Sequence, residues 1–306
     1  MLTKFKKKYG PYWQLYVFLI LPVAYILIFQ YWPMFGLQIA FKKFSITKGI
    51  WDSPWVGLKN FTKFFNAYQF SNVMRNTLTQ SFYAIQAAFP FPIIFALVLN
   101  TIENARLKRT VQTITYMPHL ISTVVLVGML MQIFHPMVGV YGHFMKALTG
   151  EMPADLFANP NAFPHLYVWS GVWQGFGYNS IIYIAALTNV SAELHEAAEV
   201  DGASRFQRVL HIDFPALLPT ITIMLILRTG SIMSIGFEKT YLMQNSLNLS
   251  RSEIISTFVY KKGLGAGVAN DYSYSTAIGM FNSVVNLVLI TCVNWVSRRV
   301  SENSLW

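Results

Sequence analysis

The sequence predicts an all-α integral membrane protein with six transmembrane helices, and three observations carry that prediction. Hydrophobic residues make up 54% of the 306-residue chain and charged residues only 12%, about half the charge usual in a soluble domain. Five uncharged runs, Tyr9–Phe41, Asn76–Ile102, Thr110–Met145, Leu156–Ala192 and Tyr272–Ser297, each exceed the ~20 residues that cross a bilayer. A sixth, Phe214–Phe237, is interrupted only by Arg228. This composition excludes a soluble enzyme and a nucleic-acid-binding domain. The formal charge of +10 is read as Lys and Arg in loops beside the spans, where they set topology.

The spans are placed near 14–38, 77–101, 111–134, 166–188, 216–237 and 274–296, giving one transmembrane domain over 14–297. A basic segment, 1–13, with Lys4, Lys6, Lys7 and Lys8 precedes it, and a short tail, 298–306, follows. The start has the charge pattern of a signal peptide. Its apolar run is longer, contains Pro22 and Pro33 and lacks a small-x-small cleavage site, so it is read as retained. Tyr12, Trp13, Tyr31 and Trp32 bracket the first span, and Trp295 closes the sixth, at headgroup depth. Trp51, Trp55, Phe61, Phe64 and Phe65 in the first loop either pack into a small structure or rest on the membrane surface.

Inside and outside loops carry equal numbers of cations, but the inside ones are shorter. The Glu103–Arg109 turn and the Arg298–Arg299 end therefore place both termini in the cytoplasm. On the fourth span Trp169, Trp173 and Phe176 share a face, with Gly171 and Gly175 roughly opposite as a pair suited to close packing. Arg228 lies about 20 Å along the fifth helix from Pro215, where a charge costs at least ~2.5–3.5 kcal/mol. Ser275, Gly279, Asn282 and Asn286 form a stripe on the sixth. Cys292 is the only cysteine, so no intrachain disulfide exists, and it reads as a small core residue.

The segment 189–215, between spans four and five, has a sharper pattern. Ser191 caps a helix whose positive end is favoured by Glu193 and Glu196, and Asp201-Gly202 stops it. A second helix carries Phe206, Val209 and Leu210 with Arg205 and Arg208, and Pro215 ends that segment. The spacing Glu196-Ala197-Ala198, three residues, Gly202, nine residues, Ile212, one residue, Phe214-Pro215 resembles the EAA motif of permeases of ATP-binding-cassette importers. Phe214 stands where that family has Leu. Pro33-Met34-Phe35-Gly36, Gly57-Leu58-Lys59-Asn60-Phe61, Asn76-Thr77-Leu78 and Met117-Pro118-His119 resemble segments of carbohydrate-uptake permeases. Gly236-Phe237-Glu238-Lys239 and the closing Ser304-Leu305-Trp306 resemble the subgroup that imports alginate, aldouronate or rhamnogalacturonan fragments.

The resemblance implies a type I importer permease fold in the bacterial inner membrane, with a cytoplasmic coupling helix between helices four and five. It implies a second, similar permease subunit, two ATPase subunits holding ATP and Mg, an extracytoplasmic solute-binding protein and an oligosaccharide substrate. No cofactor is expected on this chain, which lacks a Gly-x-x-x-x-Gly-Lys-Ser/Thr loop; Gly263-Leu-Gly-Ala-Gly267 reads as a turn. By the same resemblance Glu196 makes a polar contact with the ATPase, Ala197 and Ala198 allow close approach, and Gly202 fixes the turn. Asp201, Arg205, Phe206, Ile212 and Pro215 complete the coupling set.

Candidates for the substrate path are Arg228, Trp169, Trp173, Tyr183, Asn282 and Asn286. The aromatic stripe suits either sugar stacking or core packing, and the asparagines either sugar binding or interhelix bonding. Arg228 suits an acidic sugar, a structural pair with the second permease or a helix end. No catalytic or metal-ligating set is assigned: the six histidines form no HExxH or similar pair. An ATP-independent secondary transporter is the alternative, and the absence of Asp and Glu from the expected spans argues against it.

Overall fold

The computed structural model describes residues 12–265 and 270–300. Lys4, Lys6, Lys7 and Lys8, Ala266 and Gly267 of the glycine-rich stretch, and residues 304–306 lie outside the described residues. The chain forms two compact units: residues up to Asn66 with Lys261–Met280, and Ala67–Tyr260 with the segment from Phe281.

In the first unit, α1 (Trp13–Ile26) runs through a wide turn, Leu27–Tyr31, into a tighter helical segment, Trp32–Phe41. Together they make a 29-residue helix with none of its most apolar stretch buried inside the chain, which is the behaviour of a helix apolar on every face. The loop after it is packed. Lys42 is buried, donating to the carbonyl oxygens of Ile50 (2.8 Å) and Trp51 (3.3 Å), with the Trp55 ring 4.7 Å away. In the short helix α2 (Lys59–Phe65) Phe64 is fully buried, and Phe61 meets Phe41 at 5.4 Å, whereas Trp51 stays exposed. Lys63 pairs with Asp271 at 2.7 Å.

In the second unit, α3 (Phe70–Ala88) and α4 (Pro90–Asn100) form one long apolar helix with Pro90 at the start of its second half. The third expected span is not straight. α5 (Ala105–Tyr116) passes through a tight turn, Met117–Leu120, and α6 (Thr123–Ile133) leaves at 95°. Pro118 supplies no N–H to continue the helix, Ser122 accepts from Val125 N to start the next, and Gln174 donates to the Ile121 carbonyl at 2.9 Å. After α7 (Val140–Thr149), the fourth expected span is divided at Ser180 into α8 (Phe163–Asn179) and α9 (Ile181–Leu187).

The loop that follows holds α10 (Ala192–Val200) and α11 (Arg205–Arg208), and α11 opens through a wide turn, Val209–Asp213, into α12 (Phe214–Gly230). Pro215 therefore does not end the segment as expected; Arg205–Gly230 is one continuous helix. A proline lacks an N–H and crowds the carbonyl four residues earlier, and the wide turn just before it accommodates both. The fifth helix also stops at Gly230, short of the expected residue 237, and α13 (Phe237–Met243), α14 (Leu249–Ser252) and α15 (Ile255–Gly263) follow. α16 (Tyr272–Val300) is the last helix among the described residues. Among the described residues, four helices are long and apolar enough to cross a membrane, and the bent α5–α6 pair is a fifth candidate.

Two apolar clusters hold the second unit together. One joins α6, α8 and α13 through Val127, Phe163, Tyr167, Val172 and Met243. The other joins α4, α9 and α12 through Ile93, Leu97, Tyr183, Leu187 and Leu217, and it sits beneath the α10–α11 loop.

Candidate functional site

The α10–α11 loop is built by local chemistry. Ser191 accepts from Glu193 N at 3.2 Å and starts α10. At the other end Gly202 takes φ +81°. The Gly202 N–H reaches Glu199 O at 3.0 Å and the Ala203 N–H reaches Ala198 O at 2.8 Å; this pair of bonds closes a helix only when the residue between is left-handed, which favours glycine. Ser204 and Gln207 then cap α11 reciprocally: Gln207 N donates to Ser204 Oγ (3.3 Å) and Ser204 N to Gln207 Oε1 (2.7 Å).

The loop presents apolar groups outward. Val200 is 88% exposed and Phe206 74%. Glu196, Ala197 and Asp201 are exposed, Ala198 and Ile212 half-buried, and Pro215 exposed. Arg205 is tied to the turn after α4 by Glu103 at 2.7 Å, and Arg208 to α10 by Glu199 at 2.9 Å. Asp213, which the sequence reading passed over, is 2% exposed and receives His195 Nε2 at 3.2 Å and Asn100 Nδ2 at 3.3 Å. These partners are 18 and 113 residues away, beyond any local pattern.

The path candidates lie in different surroundings. Arg228 is exposed, in the last turn of α12, where helix carbonyls favour a cation. It forms no ion pair among the described residues, and it lines a cavity of about 210 Å³ with Ser81, Tyr167, Ser231, Ser234 and Gly236. The backbone beyond it is broken over Ser231–Gly236. Asn286 accepts from Met233 N at 3.0 Å, Ser81 donates to Ile232 O, and Asn286 Nδ2 donates to Ser234 Oγ at 2.7 Å. Asn286 thus serves as an interhelix bond. Asn282 Oδ1 is buried without a hydrogen-bond partner among the described residues.

Trp169 and Trp173 are exposed, and Trp169 Nε1 donates to Tyr83 OH at 2.8 Å. Phe176 turns instead toward Phe95, edge-on at 5.3 Å. Tyr183 is only 3% exposed, inside the α4–α9–α12 cluster. The close helix approach also falls elsewhere than expected. A Cβ on Gly177 would come within 2.3 Å of Thr115 O, whereas one on Gly171 would meet only the end of Lys239 at 3.3 Å. On α13, Lys239 Nζ donates to Tyr167 O at 2.9 Å, and burial pushes its amine down to about 8.

Several helices long and apolar enough to cross a membrane, with an exposed, capped helical loop before the fifth segment, define the chain as a multi-pass helical membrane protein. Residues 88–302 match the family described as binding-protein-dependent transport system inner membrane component. Protein LplB of Bacillus subtilis (strain 168) is 41% identical over 292 residues, 95% of this chain and 91% of that protein. The polygalacturonan/rhamnogalacturonan transport system permease protein YteP of the same organism is 36% identical over 95% of this chain and 90% of its own length. The crystal structure of a bacterial ABC transporter involved in the import of the acidic polysaccharide alginate matches with a TM-score of 0.88 at 34% identity, covering 97% of this chain and 99% of that one. The chain belongs to this permease family and has the type I importer fold.

Proposed function

We propose that the chain is one of two homologous permease subunits of an importer that carries an acidic oligosaccharide across the bacterial cytoplasmic membrane. An extracytoplasmic binding protein delivers the sugar. Two separate ATPase subunits, holding ATP and Mg, dock on α10 around Glu196, Ala197, Ala198 and Gly202, with both termini of this chain on the same, cytoplasmic side. The exposed Val200 and Phe206 on either side of the Gly202 turn support that docking, because large apolar groups on a capped loop are stable when covered by a partner.

The observation that carries the acidic cargo is Arg228. It is a cation without an ion-pair partner among the described residues, in a cavity lined by serine hydroxyls where the fifth helix breaks. Irregular backbone within a membrane bundle is tolerated where it lines an aqueous cavity. The names of the relatives, transporters of alginate and of polygalacturonan, point to the same class of cargo.

Uptake of labelled tetragalacturonate and of neutral maltotetraose by the assembled complex tests this. The wild-type complex takes up the acidic oligomer with ATP and not without it. Arg228→Ala loses tetragalacturonate uptake at least tenfold and Arg228→Lys retains part of it. Equal uptake of the acidic oligomer by Arg228→Ala and wild type refutes the assignment, and transport by this chain alone without ATP refutes the ATP-driven reading.

A further inference from the structure

Of the residues of α10, only His195 and Ala198 are drawn in from solvent. Their spacing puts them on one face of the helix. His195 reaches the deepest charged group in this part of the bundle, Asp213, whose side chain is 3% exposed. A carboxylate withdrawn from water to that degree costs several kcal/mol unless it is paired and hydrogen-bonded. Its Oδ1 has two donors, each from a different element: His195 Nε2 from α10 and Asn100 Nδ2 from the end of α4. Asp213 itself is the last residue of the wide turn that opens into α12.

The other charges around the same cavity of about 160 Å³ are accounted for. Arg205 is held by Glu103 and Arg208 by Glu199, and the acids of both pairs are largely solvent-exposed. The exposed Arg205–Glu103 pair contributes only about 0–1 kcal/mol and yields easily, whereas Arg208, only 18% exposed, makes the Glu199 pair a second tie on α10. The buried triad is the tie that joins α10 both to the end of α4 and to the turn that opens into α12.

We infer that His195 is a positioning residue that straps the coupling helix, through Asp213 and Asn100, to the cytoplasmic ends of the second and fifth helices, so that the three move as one body when the ATPases close. This rests on the reading that α10 is the ATPase docking element. A helix held only by the Gly202 turn, the segment before Ser191 and the Glu199–Arg208 pair near its end would tilt at its middle when pushed. One bonded to Asp213 and Asn100 carries α12 and α4 with it, and α12 leads to the break beside Arg228.

The test uses the complete complex in proteoliposomes, with tetragalacturonate as the probe, and reads sugar imported per ATP hydrolysed. His195→Gln keeps an N–H donor and His195→Leu keeps comparable volume without one. His195→Leu is expected to bind the ATPases and hydrolyse ATP within twofold of wild type while sugar per ATP falls at least tenfold. His195→Gln stays within threefold of the wild-type ratio. A wild-type ratio in His195→Leu, or equal loss in both variants, overturns the strap.

If His195→Leu does not assemble with the ATPases, amide exchange over Ala192–Val200 in the full-length chain in nanodiscs decides. Exchange at least fivefold faster than in wild type and His195→Gln supports the strap, and unchanged exchange overturns it. A wild-type complex that couples no hydrolysis to uptake removes the docking reading itself, and the strap with it, which is a distinct outcome from a coupled wild type with an unaffected variant.

Discussion

The side-chain amide of Asn286 takes the place of a backbone partner for Met233: its Oδ1 accepts the Met233 N–H at 3.0 Å. The fifth helix has already ended at Gly230, so this N–H has no carbonyl in its own helix to reach. Met233 is 1% exposed, and water does not substitute. An asparagine on the last helix thereby stabilises the broken backbone beside Arg228.

Asn286→Leu strands that buried donor and should cost about 1–3 kcal/mol. Asn282→Leu removes a buried oxygen without a partner among the described residues and only a long 3.4 Å donation to Ser234 Oγ, and should cost less. Thermal unfolding of the purified chain in detergent compares the two. A larger loss for Asn282→Leu contradicts the assignment.

At Gly202 the space around a Cβ is open, so side-chain size is not the constraint. The φ of +81° is. Alanine should cost about 1–2 kcal/mol there and asparagine less, whereas proline cannot adopt a positive φ at all. Sugar imported per ATP should fall in the order glycine, asparagine, alanine, proline. A Gly202→Pro variant that imports at the wild-type rate would remove the role given to the turn.

Gly177→Ala forces a methyl into the Thr115 backbone at 2.3 Å, and an overpacked contact against main chain costs about 1–3 kcal/mol or more. Gly171→Ala meets only the movable end of Lys239 at 3.3 Å and should change the unfolding temperature little. The reverse ranking would show that α5 and α8 do not cross at Gly177.

Lys239 has its amine lowered to about 8 by burial, against about 10.4 when free. Below pH 8 both folded and unfolded chains carry the proton, and the full cost of burying the charge is present. Between about pH 8 and 10.4 the unfolded chain binds more protons than the folded one, so stability contributed by this group rises with pH. Relative to Lys239→Met, the wild-type chain should therefore gain about 2 kcal/mol between pH 7 and pH 10. A difference between the two proteins that does not change with pH would place the amine in water.

What the sequence settled by itself was local. Long uncharged runs name the solvent of the fold, because a bilayer tolerates few charges and sets a minimum helix length. The caps at Ser191 and Gly202 were legible because each acts within one turn of its own helix. Tertiary structure decided which residues meet. Asp213 finds His195 and Asn100 across 18 and 113 residues, Gly177 rather than Gly171 meets Thr115, Asn286 is spent on Met233, and Tyr183 is enclosed by α4, α9 and α12. Helical periodicity gives the face a side chain occupies, but crossing angles and breaks such as those at Ser122 and Ser231 determine what that face touches. They arise from packing between helices, and a single helix's sequence does not contain its neighbours.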